Sequence, residues 1–574
     1  MAWKFVATAS CLLTAPQVLP ASLPHTLELA VDLGYGVYRG VHNDTTRLNV
    51  WKGIRFAAPP TGNLRWRAPI APAVSRSGTV NATEFAAECA QALPRPLNLV
   101  SSSSKSEDCL FLNVYAPKVE QTAKLPVLVW IHGGGYGSGN GQQDMSEIVN
   151  ANDNSFIAVS IQYRKLGAFG FLSSAEVQES GDLNVGILDM AFALQWVHDH
   201  IGQFGGDASR VTITGESAGA GGVMLLSIAK NGTLGSSLFS GLIAASPYLP
   251  PQYSFDASVP TQRYRSFVAR AGCADAPDTL SCLRGQDFST LQTANSDENQ
   301  AGVYGVWSFL PVTEPGTGFI TTLPSTSLSA HRVNGAHALV GNNANEGVPF
   351  VPQTINSTTA LRTWLQTIYP ALTPRDIATI LTAYPAGSNT PTTRFATTGL
   401  DPPTALDVSQ FAIGTQQRAY NMYAEATFVC PSYWLSSAFS NHDRTARHYQ
   451  YSVPGALHTA DISAYFGPAT LSQPPQFTSV FRKIWGGFVN AAEPQGLGGL
   501  GWPVWTDSQT RRMLNLNTTG GVPFESMQLV GGNITEFMEP GVQNDLSIVD
   551  AFEWEGGRGK RCEMWRRVAE KVSI

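Results

Sequence analysis

Ser217 stands in the pentapeptide GESAG, residues 215–219, between two glycines that carry no side chain. A serine hydroxyl is a weak nucleophile until it is held out beside a base. The flanking residues supply the holding. Residues 211–214 (VTIT) are a β-branched run of strand type, and residues 220–229 are small, apolar and helix-like. G-x-S-x-G between a strand and a helix is the pattern of a nucleophile elbow, a sharp turn that exposes one hydroxyl at the top of a sheet. The pentapeptide alone arises by chance in Gly- and Ser-rich chains, so the strand and helix around it are what give it meaning. The N–H of Ala218 points at the same space and can stabilise an oxyanion.

A second glycine cluster, IHGGGYGSGN at residues 131–140, follows an apolar run directly. The N–H groups of Gly134 and Gly135 are the candidate partners of Ala218, because an acyl oxygen must come within about 3 Å of backbone with no side chain in the way. A phosphate loop would need G-K-[ST], which the cluster lacks. An elbow serine takes its partners in the order acid, then histidine. Five histidines follow Ser217: His331, His337, His442, His448 and His458. His448 lies inside a strand pattern, where packing is its expected role. His458 lies in a loop just after that strand, where a general base belongs. Glu346 sits in the turn after another strand candidate and could orient the imidazole. Physical grounds rank it only slightly above Asp407 or Asp443.

The elements that must position these groups can be read in outline. Residues 27–37 and 48–56 form an opening antiparallel set, and residues 55–69, rich in proline, are irregular. Strands are expected at 110–117, at 125–131 and at 155–163, with a helix at 191–200 ahead of the elbow. Residues 238–245, 336–341 and 446–453 are further strands. Helical segments at 262–271 and 361–369 lie among Pro- and Thr-rich loops. Alternating apolar strands and helices imply an α/β fold: a mostly parallel central sheet with helices on both faces. The loosened pattern after about residue 250 is read as long insertions that shape a substrate gorge.

Composition narrows the partners. The chain has 574 residues, 43% hydrophobic and 14% charged, with a net charge of −6. No basic run is present, so nucleic acid is not expected as a partner. Residues 1–21 read as a secretory signal peptide: Lys4, then an apolar segment too short to span a bilayer, with cleavage between 15 and 22. Residues 22–574 are expected to form a single secreted domain with no membrane anchor. Six N-x-[ST] sequons, at Asn43, Asn81, Asn231, Asn356, Asn517 and Asn533, suit a glycosylated product of that route. Six cysteines remain after the signal: Cys89, Cys109, Cys273, Cys282, Cys430 and Cys562. Six allow 15 connectivities. Nearness in sequence favours 89–109 and 273–282, which leaves 430–562. No zinc-type spacing or H-E-x-x-H occurs, and neither metal nor cofactor is expected.

Taken together, these residues resemble the type-B carboxylesterase/lipase family, which contains the cholinesterases and certain fungal lipases. FGGDASRVTITGESAG is similar to the family's nucleophile signature and EDCLFLNVYAP (107–117) to its second signature. The likeness continues in WKGIRFAAPPTGNLRWRAP, YRKLGAFGFL, NVGILDMAFALQWV, NEG and ALHTADISAYFG. The resemblance implies the α/β-hydrolase fold, a triad of Ser217, Glu346 and His458, an oxyanion hole from Gly134, Gly135 and Ala218, and the same three disulfides. It implies a serine carboxylic-ester hydrolase. The loop between Cys89 and Cys109 has 19 residues, no aromatic one, and a polar run SSSSKSED. A choline site needs an aromatic face there, and a lipase lid needs a large apolar one. Soluble or short-to-medium acyl esters are therefore expected. The alternatives are a lipase, an acyltransferase on the same triad, or a non-catalytic binding protein of the same fold.

Overall fold

In the computed structural model the apolar runs pair into one sheet of eleven strands. In chain order they are β1 Val41–Asn43, β2 Leu48–Arg55, β3 Phe111–Pro117, β4 Leu125–Ile131, β5 Ile157–Ile161 and β6 Gly206–Glu216. Then come β7 Gly241–Ala245, β8 His337–Asn343, β9 Thr445–Tyr451, β10 Arg512–Met527 and β11 Asn533–Asp550. Their spatial order is β11-β10-β9-β8-β7-β6-β4-β5-β3-β2-β1. Every pairing from β5 across to β10 is parallel. Antiparallel pairs finish both edges: β3 with β5, β2 with β3 and β1 with β2 at one, β10 with β11 at the other. The structure describes residues 29–97, 105–118, 121–164, 167–386, 399–400, 404–406, 409–441, 443–506, 511–528 and 532–574. The expected signal peptide lies outside them.

Burial on both faces explains the unbroken apolar runs. In a strand, successive side chains point to opposite faces. Val127, Val129 and Ile131 of β4 join one core layer with Leu242 and Ala244 of β7. Leu128 and Trp130 join the other with Ile243 and Ala245. The first layer takes in α1 (Val185–His200) and α2 (Ala218–Ile228). The second takes in the helix Pro475–Ala491, whose Phe477, Phe481, Ile484, Trp485 and Phe488 recur at helical spacing.

One expectation is corrected and one is extended. Residues 27–37 do not make one strand: Ala30–Asp32 and Val37–Arg39 form a small hairpin. The turn between them contains Gly34 at φ +83°. The strand expected at 211–214 runs from Gly206 to Glu216, up to the serine itself. The β10–β11 hairpin is new. The start of β10 pairs β9 and is buried, whereas the distal half of the hairpin is largely exposed or half-buried on both faces and so has no apolar alternation. The three disulfides Cys89–Cys109, Cys273–Cys282 and Cys430–Cys562 are formed.

Candidate active site

Strand β6 ends at Glu216 and α2 begins at Ala218, so Ser217 alone makes the turn, at φ 56° and ψ −125°. A positive φ is uncommon for a residue with a Cβ and persists only where the surroundings enforce it. Here the enforcement is close packing. A Cβ at Gly215 would lie 2.4 Å from the carbonyl carbon of Gly219, and one at Gly219 would lie 2.0 Å from the Ile131 oxygen. The turn is also pinned to β7, because the Ser217 N–H donates to the Ala245 oxygen at 3.0 Å.

Three loops at the same end of the sheet meet this hydroxyl. His458 Nε2 lies 2.8 Å from Ser217 Oγ, and its Nδ1 lies 2.5 Å from Glu346 Oε2. Glu346 follows β8, is fully buried, and accepts on Oε1 from the Asn343 N–H and the Ser246 hydroxyl, each at 2.6 Å. The His458 loop is stitched to the acid loop: the Asn345 N–H donates to the Ala456 oxygen at 2.9 Å, and Asn345 bridges Leu457. A carboxylate accepting from Nδ1–H leaves the Nε2 lone pair facing the serine. Phe350 and Phe428 close over the imidazole, with ring centroids at 5.1 and 4.5 Å.

The glycine loop packs against the elbow. A Cβ at Gly133 would lie 3.0 Å from the Ser217 Cβ. Gly134 and Gly135 have φ of +102° and +64°. A Cβ at Gly134 would lie 2.2 Å from the Ser138 oxygen, and one at Gly135 would lie 2.3 Å from the Trp307 ring. Among the described residues, the N–H groups of Gly134, Gly135 and Ala218 have no backbone acceptor. Trp307 also lines a cavity of about 390 Å³ with Tyr253, Arg263, Phe309 and Ile368, so its ring touches both that cavity and the loop.

Sequence reasoning missed two carboxyls. Glu216, 2% exposed, places Oε1 3.4 Å from His458 Nε2, and among the described residues that oxygen has no hydrogen-bond partner. Burial, then the nearby Asp461 and Glu346, lift its carboxyl well above the ordinary range. Asp461, three residues after His458, accepts from the Asn343 amide at 3.1 Å, and burial pushes it up to about 7. Neither shows in the sequence, because adjacency to a motif does not reveal burial.

The remaining candidates separate clearly. His448 is buried between Ser436 and Asn342, and burial drives it down to about 3, so it is a neutral packed residue. His331 and His337 bond to the Ala438 carbonyl and the Thr445 hydroxyl, away from the serine. Asp443 is exposed, while Asp407 and His442 lie outside the described residues. So does part of the polar loop between Cys89 and Cys109, residues 98–104. Of the sequons, Asn43, Asn81, Asn356 and Asn533 are exposed and Asn231 is half-buried. Asn517 departs from the expectation: it is 8% exposed and its Nδ2, the atom a glycan would take, donates to Asp545 at 3.2 Å. Among the described residues no group of His, Cys, Asp and Glu could hold a metal ion, and no helix is long and apolar enough to cross a membrane.

Residues 28–528 match the carboxylesterase family. The chain belongs to that family. Secreted lipase 1 of Botryotinia fuckeliana is 32% identical over 511 residues, covering 83% of this chain and 86% of that one. Lipase 2 of Geotrichum candidum is 30% identical over 529 residues, covering 83% and 89%. The crystal structure of Aspergillus niger EstA superposes with a TM-score of 0.77 at 26% identity, covering 95% of this chain and 99% of that one. This carboxylesterase-family protein is a carboxylic-ester hydrolase with the α/β-hydrolase fold.

Proposed function

We propose that the protein hydrolyses esters through an acyl-enzyme on Ser217. The His458 Nε2 takes the hydroxyl proton as Oγ attacks the ester carbonyl carbon, and the carbonyl electron pair moves onto oxygen. That oxyanion is held by the N–H groups of Gly134, Gly135 and Ala218. Collapse breaks the bond to the alkoxy oxygen, which leaves as alcohol with the proton from Nε2. Water then enters, gives its proton to Nε2, attacks the acyl carbon and releases the acid, and the proton returns to Ser217. Glu346 stays ionised throughout and holds the imidazolium formed in each half-reaction. The single observation that supports this most is the unbroken series Ser217 Oγ to His458 Nε2 at 2.8 Å and His458 Nδ1 to Glu346 at 2.5 Å.

The substrate class proposed is a soluble or short-to-medium acyl ester, on the strength of the half-polar 19-residue loop between Cys89 and Cys109, which has no aromatic residue. A lipase is the second reading, favoured by the two lipases at 30–32% identity. A p-nitrophenyl ester series from acetate to palmitate, run beside emulsified triglyceride, separates them. The esterase reading expects peak kcat/KM below about ten acyl carbons and no jump in rate at the emulsion threshold. A rate that rises steeply only with emulsion overturns it. Added alcohols test acyl transfer: mainly transesterified product would replace hydrolysis as the reaction. Secretion through a signal at residues 1–21, with glycans on the exposed sequons, completes the proposal.

A further inference from the structure

Between helix α3 (Gly414–Ala424) and helix α4 (Cys430–Ala438) the chain makes one turn of π-helix, Glu425–Val429. Such turns are rare and cluster at functional sites. In an α-helix, residues three apart share a face. The wider π turn rotates them away from each other. Glu425 and Phe428 are three apart, and they serve different neighbours. Glu425 accepts on Oε1 from Arg561 at 2.7 Å and Arg558 at 3.3 Å, and on Oε2 from Arg561 at 2.8 Å and the Tyr384 hydroxyl at 2.6 Å. Phe428, fully buried, lays its ring 4.5 Å from the His458 imidazole and 5.4 Å from both Tyr248 and Phe350. The turn reaches the elbow as well. Its Thr427 oxygen accepts from the Leu249 N–H at 2.9 Å, and the N–H of adjacent Tyr248 donates to the Ser217 oxygen at 3.0 Å.

Both arginines lie on helix α5 (Trp554–Arg567), beyond the segment that matches the family, and the Cys430–Cys562 disulfide ties that helix to the residue following the π turn. We propose that Phe428 is a positioning residue for His458, and that the C-terminal helix sets its placement by gripping Glu425 through Arg558 and Arg561. This rests on the acyl-enzyme reading of the site. The imidazole is anchored by Glu346 at Nδ1 and by the serine hydroxyl at Nε2. Once Nε2 has taken the proton, the second anchor changes, and the ring is free to turn about its remaining bond unless a wall stops it. Phe350 meets the ring edge-on and Phe428 lies at a tilt of 41°, so the two aromatics block rotation and keep water off the face.

The test compares wild type with Phe428→Ala and Phe428→Leu by the rate of Ser217 phosphonylation with a fluorophosphonate, by kcat and KM on one ester, and by an NMR titration of the His458 imidazole. Phe428→Ala is expected to slow phosphonylation and kcat about 10- to 100-fold, with KM changed less than about threefold. It also raises the imidazole midpoint, because a hydrated ring takes a proton more readily. Phe428→Leu, which keeps much of the bulk, recovers part of both. Arg561→Lys keeps the charge, loses the two-pronged grip on Glu425, and moves the midpoint in the same direction by less. A Phe428→Ala protein with wild-type rates and an unmoved imidazole midpoint overturns the proposal. Wild type that takes up no probe would instead remove the acyl-enzyme reading, and the NMR midpoint would still decide the Phe428 contact.

Discussion

Ser217 and the glycine loop follow two adjacent parallel strands, β6 and β4, and apart from Trp307 against Gly135 the residues that shape them lie within a few positions of a strand end. Glu346 and His458 are assembled differently. They come from loops 112 residues apart, and His458 lies 241 residues from the serine it contacts. Their alignment depends on the bridge from Asn345 to Leu457, on Ser246, on Phe350 and on the π turn. The nucleophile side is rigid by local geometry, with glycines that admit no Cβ. The base side is rigid by long-range packing, with buried polar groups that must each find a partner. Loss of the nucleophile's hydroxyl is expected to be local and to leave stability nearly unchanged, whereas a Cβ forced in at one of its glycines adds an overpacking cost. Damage to the base side is expected to appear in pH dependence and stability as well as in rate.

The largest effect expected is that of Ser217→Ala: loss of kcat by about 10⁴- to 10⁶-fold with an unchanged thermal transition, read by ester turnover and calorimetry. Glu346→Gln comes next. It keeps the shape but removes the charge that stabilises the imidazolium, and a fall in kcat of about 10³- to 10⁴-fold is expected. A smaller loss, below about tenfold, would show that the neighbouring carboxyls replace it. Gly135→Ala tests the nucleophile side. Its Cβ would meet Trp307 at 2.3 Å and its φ of +64° disfavours any side chain, so kcat should fall about 10²- to 10³-fold as one oxyanion donor is displaced. A loss confined to KM would place the loop in substrate binding instead.

The smallest effect concerns stability and sharpens the contrast from the base side. Burial raises Asp461 to about 7 in the folded protein, against 3.8 as its ordinary value. Between those two values the folded protein holds a proton that the unfolded chain has released, so stability falls as pH rises from about 4 to about 7 and is level above. Asp461→Asn removes that titration. Its stability relative to wild type should therefore grow across that window by at most about 4 kcal/mol, measured by denaturant midpoints at pH 4 and pH 8. A difference that does not change with pH would mean that Asp461 is ionised where it lies.

The same contrast decides what could be read in the sequence. The elbow and the glycine loop are legible because contiguous residues carry the whole signal: strand, glycine, serine, glycine, helix. His458 is legible as a histidine in a loop after a strand, but Glu346 is separated from Asp407 and Asp443 by family resemblance rather than by any local physical feature. Glu216 and Asp461 are ordinary acids in sequence, and their strained chemistry exists only after burial. The helix Pro475–Ala491 repeats apolar residues at 477, 481, 484, 485, 488 and 489 and is open to a periodicity reading that the Pro-rich surroundings obscure. The β10–β11 hairpin is not open to one. Its distal half is mostly exposed or half-buried on both faces, with Ile534 a buried exception, so little selects an alternating pattern.

The central claim, an acyl group carried on Ser217, has one direct measurement. Protein quenched with acid during turnover of a slowly deacylating ester, then digested and weighed by mass spectrometry, should carry the acyl mass on the peptide containing Ser217 and on no other. Ser217→Ala treated in the same way should carry none. An acyl group found elsewhere, or brisk ester turnover by the Ser217→Ala protein, would contradict the account.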